Sequence, residues 1–160
     1  MAKIFTKEEN QAWSHNLPGK MTSACLVLRD DNKVLMVKAG YKKEWTFPSG
    51  IVDDKESPKE AALRETREEI GTSIAEDKAQ LLTVIYTASK EGDRDRFNFA
   101  FITDVSADDI TPTVPNEEIE QAAWVKLDEI AERSGHKGSY TAFQKILLEQ
   151  SNHEPYVEVR

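Results

Sequence analysis

The chain has little of what holds unusual architectures together. It contains one cysteine, Cys25, in 160 residues, so no internal disulfide can form. A chain of this length needs none, since it can bury roughly 68–70% of its unfolded surface. Cys25 lies in the apolar run Ala24-Cys25-Leu26-Val27-Leu28, which predicts a buried, inert thiol and fits a reducing, cytoplasmic setting. No run approaches the ~18 apolar residues of a membrane span. The first eight residues carry neither an apolar h-region nor a small-residue cleavage site, so secretion and membrane insertion are not expected. With only 7 Gly and 6 Pro, the chain has no Pro/Gly/Ser-rich linker, and it shows no internal repeat. Basic residues are also short, 21 against 29 acidic, for a net charge of −8. That balance opposes binding to duplex nucleic acid, and it admits a small anionic substrate only through a metal or a local basic patch. His15, His136 and His153 have no metal-ligand spacing.

The order of elements can be read from hydrophobic period and turn chemistry. Thr6-Lys7-Glu8-Glu9 can open a short helix through a capping box. Residues 22–29 and 34–38 read as a hairpin closed at Asp30-Asp31-Asn32. A loop containing Gly40, Pro48 and Gly50 follows. Ser57-Pro58-Lys59-Glu60 combines an N-cap, a proline at the first helical position and a reciprocal carboxylate, and Gly71 suits a C-terminal stop, which predicts a helix over 58–70. Two further strands, 81–86 and the alternating Phe97, Phe99 and Phe101, are joined through Glu91-Gly92-Asp93. Ala122-Ala123-Trp124-Val125 is a short strand, Leu127–Ala131 opens a helix, and Thr141–Gln150 closes the chain on another. Hairpins outnumber βαβ units, which predicts an α+β fold with a mixed sheet flanked by helices. The domain is expected over 21–150, with 1–20 an extension packing on it and 151–160 a tail.

The helix over 58–70 is unusually acidic. Ala62, Leu63, Thr66 and Ile70 form a core-facing stripe. Glu65, Glu68 and Glu69, spaced i, i+3 and i+4, are placed together on the face turned away from it. Like charges at those spacings cost a few tenths of a kcal/mol per pair, and the C-terminal end of a helix disfavours negative charge. A solvated acidic face is one reading. A site for a hard cation such as Mg²⁺ or Mn²⁺, completed by substrate phosphates, is the other.

The surroundings favour the second. Gly50, Glu56 and the run Arg64-Glu65-Thr66-Arg67-Glu68-Glu69-Ile70-Gly71-Thr72 match all seven fixed positions of the pattern Gly-x5-Glu-x7-Arg-Glu-U-x-Glu-Glu-x-Gly-U, where U is apolar. This segment resembles the Nudix box; a chance match is on the order of one in 10⁵ or rarer. Both U positions are threonine, a departure that affects packing alone. Trp45-Thr46-Phe47-Pro48-Ser49-Gly50 is similar to the family's Trp-x-x-Pro-Gly-Gly entry to the box, with Ser49 in place of the first glycine of the pair.

The resemblance covers most of residues 20–150 and implies an α/β/α sandwich that hydrolyses a pyrophosphate bond in a nucleoside diphosphate linked to another moiety. It implies Mg²⁺, with Mn²⁺ as a substitute, held by Glu65, Glu68, Glu69 and the backbone carbonyl of Ser49. Arg64 and Glu56 would orient the carboxylates. The base would be Glu65 or a glutamate of the loop Pro115–Glu120, with Glu118 preferred over Glu117. Tyr41, Trp45 and Lys43 are candidate substrate contacts, and Tyr86 and Phe97 could also stack on a base. The resemblance leaves a homodimer open. The alternative is a Nudix module that binds a nucleotide without cleaving it; such modules usually lose box glutamates, and this chain keeps them all.

Overall fold

The computed structural model describes residues 5–89, 93–113, 117–149 and 155–160. Helix α1 (Lys7–His15) leads into strand β1 (Met21–Asp30), β2 (Lys33–Ala39) and the short β3 (Ser49–Ile51). Helix α2 (Pro58–Ile70), β4 (Gln80–Thr87), β5 (Arg96–Asp104) and β6 (Ile119–Lys126) follow, then α3 (Ile130–Arg133), α4 (Gly138–Glu149) and β7 (Tyr156–Val159). One mixed sheet runs in the order β6-β2-β1-β5-β4-β7, with β3 added to β1. β1 runs parallel to β5 and β4 parallel to β7, while the other pairs are antiparallel.

Central position explains why β1 reads as a continuous apolar run, because both of its faces are covered. Cys25 and Val27 point to a core shared with Ile130 of α3 and Phe143, Ile146 and Leu147 of α4. Ala24, Leu26 and Leu28 point to the opposite core, shared with Ala61, Ala62 and Ile70 of α2. Each of these larger aliphatic side chains contributes about 1.5–3 kcal/mol by leaving water. The result is a helix–sheet–helix sandwich, in agreement with the fold implied by the resemblance.

The β1–β2 hairpin opens after two residue pairs, Arg29–Val34 and Asp30–Lys33. The chain from Thr46 to Ile51 fills the gap. Thr46 exchanges both backbone hydrogen bonds with Val37, at 2.8 Å each, and Leu26 N donates to Pro48 O at 3.2 Å. Ser49, Gly50 and Ile51 pair with Cys25, Ala24 and Ser23. This wedge holds the start of the box against the sheet.

Two expectations need revision. Tyr156–Val159, expected to be a tail, is an edge strand on β4: alternate residues Val157 and Val159 pack on the α4-side core. In the extension, residues 5–20 are each exposed, and Lys20 forms an ion pair with Asp95 just ahead of β5. α1 itself forms with the expected capping box, Thr6 with Glu9. The closing helix starts earlier than Thr141, at Gly138. Residues 91 and 92 of the expected connection, Pro115 and Asn116 of the remote loop, and Gln150 and His153 lie outside the described residues.

Candidate active site

Helix α2 is capped as its sequence predicts. Ser57 Oγ accepts from Glu60 N at 3.2 Å, and the Glu60 carboxylate accepts from Ser57 N at 2.8 Å. Gly71 ends the helix in the left-handed conformation (φ 71°), which costs glycine nothing. The buried face comprises Ala61, Ala62, Thr66, Glu69 and Ile70, while Leu63 is only half-buried.

Glu69 is therefore not on a face turned away from the core. The β3 wedge flanks α2 as well as the sheet beneath it, so burial spreads around the helix to enclose this carboxylate. Glu69 is 8% exposed and accepts a hydrogen bond from Ser49 N at 3.0 Å. Burial pushes its carboxyl up to about 8; the Ser49 N–H and Lys42 oppose that shift, and the charges of Glu65 and Glu118 reinforce it.

Glu65 is placed by Gly50. A Cβ on residue 50 would collide with the Glu65 carboxylate, so glycine is needed here for close approach rather than for backbone freedom. Arg64 ties the group together. Its Nε and Nη2 donate to the two oxygens of Glu56 at 2.8 and 3.0 Å, a bidentate pair. Nη1 donates to Glu65 Oε1 at 2.7 Å and Glu68 Oε2 at 3.3 Å, and Nη2 reaches Ile51 O at 3.2 Å. The neighbouring carboxylates hold the guanidinium pKa above its ordinary value, Glu56 foremost, and Arg64 in turn lowers that of Glu56. The repulsion expected among the glutamates is thus partly relieved by arginine.

Glu118 joins the site from the remote loop. Tyr41 Oη donates to Glu118 Oε1 at 2.8 Å, and Gly40 N donates to Glu118 O at 2.9 Å. Lys42 lies over the Tyr41 ring, 4.9 Å from its centroid. The structure therefore gathers Ser49, Gly50, Glu56, Arg64, Glu65, Glu68 and Glu69, with Tyr41, Lys42 and Glu118 at the rim. It does not bring Trp45 and Lys43 into that group: both line a cleft with Arg133 of α3. Tyr86 and Phe97 pair with each other, ring centroids 5.4 Å apart, on β4 and β5. The Tyr41–Glu118 link and the approach of Lys42 to Glu69 escaped sequence reasoning, because nothing in spacing shows that Gly40 and Glu118 are hydrogen-bonded neighbours.

The donor set fits a hard divalent cation. It is made of carboxylate oxygens, one of them buried without a positive side chain bonded to it, and buried carboxylates need a compensating charge. Among the described residues no three such side chains already converge as a preformed cage, since Arg64 engages Glu65 and Glu68 while Glu69 turns to Ser49. Mg²⁺ suits such a place because it takes one or two carboxylates and completes its shell with water and phosphate.

The chain matches the NUDIX domain family over residues 19–146 and belongs to that family. It is 31% identical over 103 residues to a putative 8-oxo-dGTP diphosphatase 3 of Mycobacterium tuberculosis, an alignment covering 64% of this chain and 46% of that protein. The chain thus spans about half the length of that relative. It is 30% identical over 128 residues to an RNA pyrophosphohydrolase of Rickettsia bellii, covering 71% of this chain and 79% of the relative. Among solved structures, the NUDIX domain of Shewanella oneidensis NrtR complexed with ADP ribose superimposes with a TM-score of 0.72 at 16% identity, covering 92% of this chain and 100% of that one. At that identity the likeness shows the fold alone. No helix among the described residues is long and apolar enough to cross a membrane.

Proposed function

We propose that the protein is a Mg²⁺-dependent hydrolase, with Mn²⁺ able to substitute, that cleaves a pyrophosphate bond in a nucleoside diphosphate linked to another moiety. One observation carries the reading: Glu69 is a buried carboxylate, held by Ser49 N–H beside the Arg64-braced Glu65 and Glu68. A helix whose acidic residues served only solubility would not bury one of them. The relatives' names, a diphosphatase and a pyrophosphohydrolase, point to the same reaction class.

In this reading Glu65, Glu68, Glu69 and the Ser49 carbonyl hold the ion. When bound, it supplies the positive charge that phosphate oxygens and an incoming water need. Arg64 keeps Glu65 and Glu68 oriented, and Glu56 fixes Arg64 from behind. Glu118 accepts the proton of the attacking water as oxygen joins phosphorus and the anhydride P–O bond breaks. Tyr41 holds Glu118 by hydrogen bond, and Lys42 offers charge to the departing phosphate. The domain, which takes in the edge strand Tyr156–Val159, acts alone or as a homodimer in the cytoplasm, a setting suited to its single thiol, which burial pushes up to about 12. Phosphate release from a panel of nucleotides, with Mg²⁺ and with chelator, tests the reading.

A further inference from the structure

A second concave surface lies beyond the box. Lys43, Trp45, Glu129, Glu132 and Arg133 line a cleft of about 510 Å³, within the range of small-ligand sites. Its wall is the half-buried indole of Trp45, which packs on the core beneath. The Arg133 guanidinium lies 5.6 Å from the centroid of that ring. Trp45 is anchored by its own backbone, its N–H donating to Arg133 O at 2.9 Å. Among the described residues the Arg133 side chain otherwise makes a loose contact with Glu129 at 3.8 Å, both side chains being about half exposed.

The cleft therefore offers a flat π surface, a guanidinium beside it, and two carboxylate acceptors on one short helical segment. A nucleobase bearing an exocyclic amine uses all three: its π face stacks on indole or guanidinium, and its N–H groups or the ribose hydroxyls donate to carboxylates. The position is right for a substrate that spans both places. Trp45 lies four residues before Ser49, so the chain between them spans at most about 13 Å. Lys43 lines the cleft, and the adjacent Lys42 lies over the ring of Tyr41, which bonds Glu118 at the rim of the box, so positive charge continues from one to the other.

We propose that this cleft is the nucleoside subsite, with Trp45 and Arg133 stacking on the base and Glu129 and Glu132 selecting bases that carry an exocyclic amine. It rests on the hydrolase reading only in that the diphosphate must run from here to the box. Arg133 is then a specificity residue that no motif marks.

Binding of AMP, GMP, CMP and UMP tests it, because these probes have no pyrophosphate bond and need no turnover. AMP, GMP and CMP should bind wild type more tightly than UMP, and Arg133→Ala should weaken them by at least ~5-fold. Trp45→Phe, which keeps an aromatic face, should retain most of the affinity, and Trp13→Phe on exposed α1 should change nothing. Unchanged affinity in Arg133→Ala overturns the subsite, as does no saturable binding of any of the four by folded wild type up to ~10 mM. Equal affinity for UMP overturns the role given to Glu129 and Glu132. Phosphate release is measured in parallel on nucleoside triphosphates and on base-free tripolyphosphate. Arg133→Ala should raise KM for the former by a larger factor than for the latter. Base-selective binding without any phosphate release would instead leave the subsite standing and sink the hydrolase reading.

Discussion

The Glu69 carboxylate accepts a hydrogen bond from the backbone N–H of Ser49, across 20 residues of sequence, at 3.0 Å. This contact joins the last glutamate of the box to the wedge that separates β1 from β2. It also leaves the carboxylate buried, with its pKa pushed up to about 8 by that burial.

A carboxyl whose folded pKa lies above its unfolded value binds more protons when folded. Its contribution to stability is therefore full below the unfolded value, near 4.5, and is lost as pH rises through about 8. Chelator-treated protein should lose about 1–3 kcal/mol between pH 5 and 9 through this group. Glu69→Gln should flatten that part of the profile and match or exceed wild-type stability at pH 8. Denaturant melts across pH in chelator measure it, and parallel profiles for both proteins would show that Glu69 is not buried as described. Added Mg²⁺ should displace the proton, so its affinity for wild type should rise with pH over the same window.

Gly50 and Glu65 make a second close contact. Gly50→Ala would push a methyl group into the Glu65 carboxylate, the end of a side chain that can swing aside, so stability should fall by only ~1 kcal/mol or less. The loss of activity should be at least ~10-fold, because a ligand moved from its place weakens the site more than it weakens the fold. Melting and steady-state rates on one preparation separate the two effects; full activity would mean that Glu65 need not sit against Gly50.

Arg64 braces carboxylates in two directions, and lysine cannot copy its fork. Arg64→Lys should lower activity by about 10–100-fold and raise the Mg²⁺ concentration needed for half-activation. Stability should fall by less, since a partly exposed pair contributes ~1 kcal/mol or under. A variant that is badly unfolded yet normally activated by Mg²⁺ would show that Arg64 serves the fold and not the site.

For the remote loop, Glu118→Gln should lower kcat by at least ~10²-fold, in the range of general-base catalysis. Tyr41→Phe should lower kcat less, with KM little changed, because it frees Glu118 without removing it. Near-normal rates for Glu118→Gln together with impaired Glu117→Gln would transfer the role to the neighbouring residue.

The box helix was legible from sequence down to its caps, because capping box, proline and terminal glycine act within a few residues of one another. The face of Glu69 was not. A wheel built from Ala62, Leu63, Thr66 and Ile70 takes a single packing partner for granted, whereas α2 has two, the sheet and the β3 wedge. The wedge depends on Thr46 pairing with Val37 and Ser49 with Cys25, which local pattern cannot reveal. The same limit hid β7, a short strand whose partner β4 lies some 70 residues earlier in the chain. Sequence marks Trp45 as a candidate substrate contact, and the fold adds that its indole lies beside Arg133 of α3.

The central claim is that a divalent ion held by the box glutamates is required for cleavage of a nucleotide pyrophosphate bond. Phosphate release by wild type from nucleoside triphosphates and diphosphate-linked nucleotides, in millimolar Mg²⁺ and in excess chelator, tests it most directly. The account predicts turnover of at least one nucleotide with Mg²⁺, none in chelator, and a loss of at least ~10²-fold in Glu69→Gln. Undiminished turnover in chelator, or a Glu69→Gln variant as fast as wild type, would contradict it.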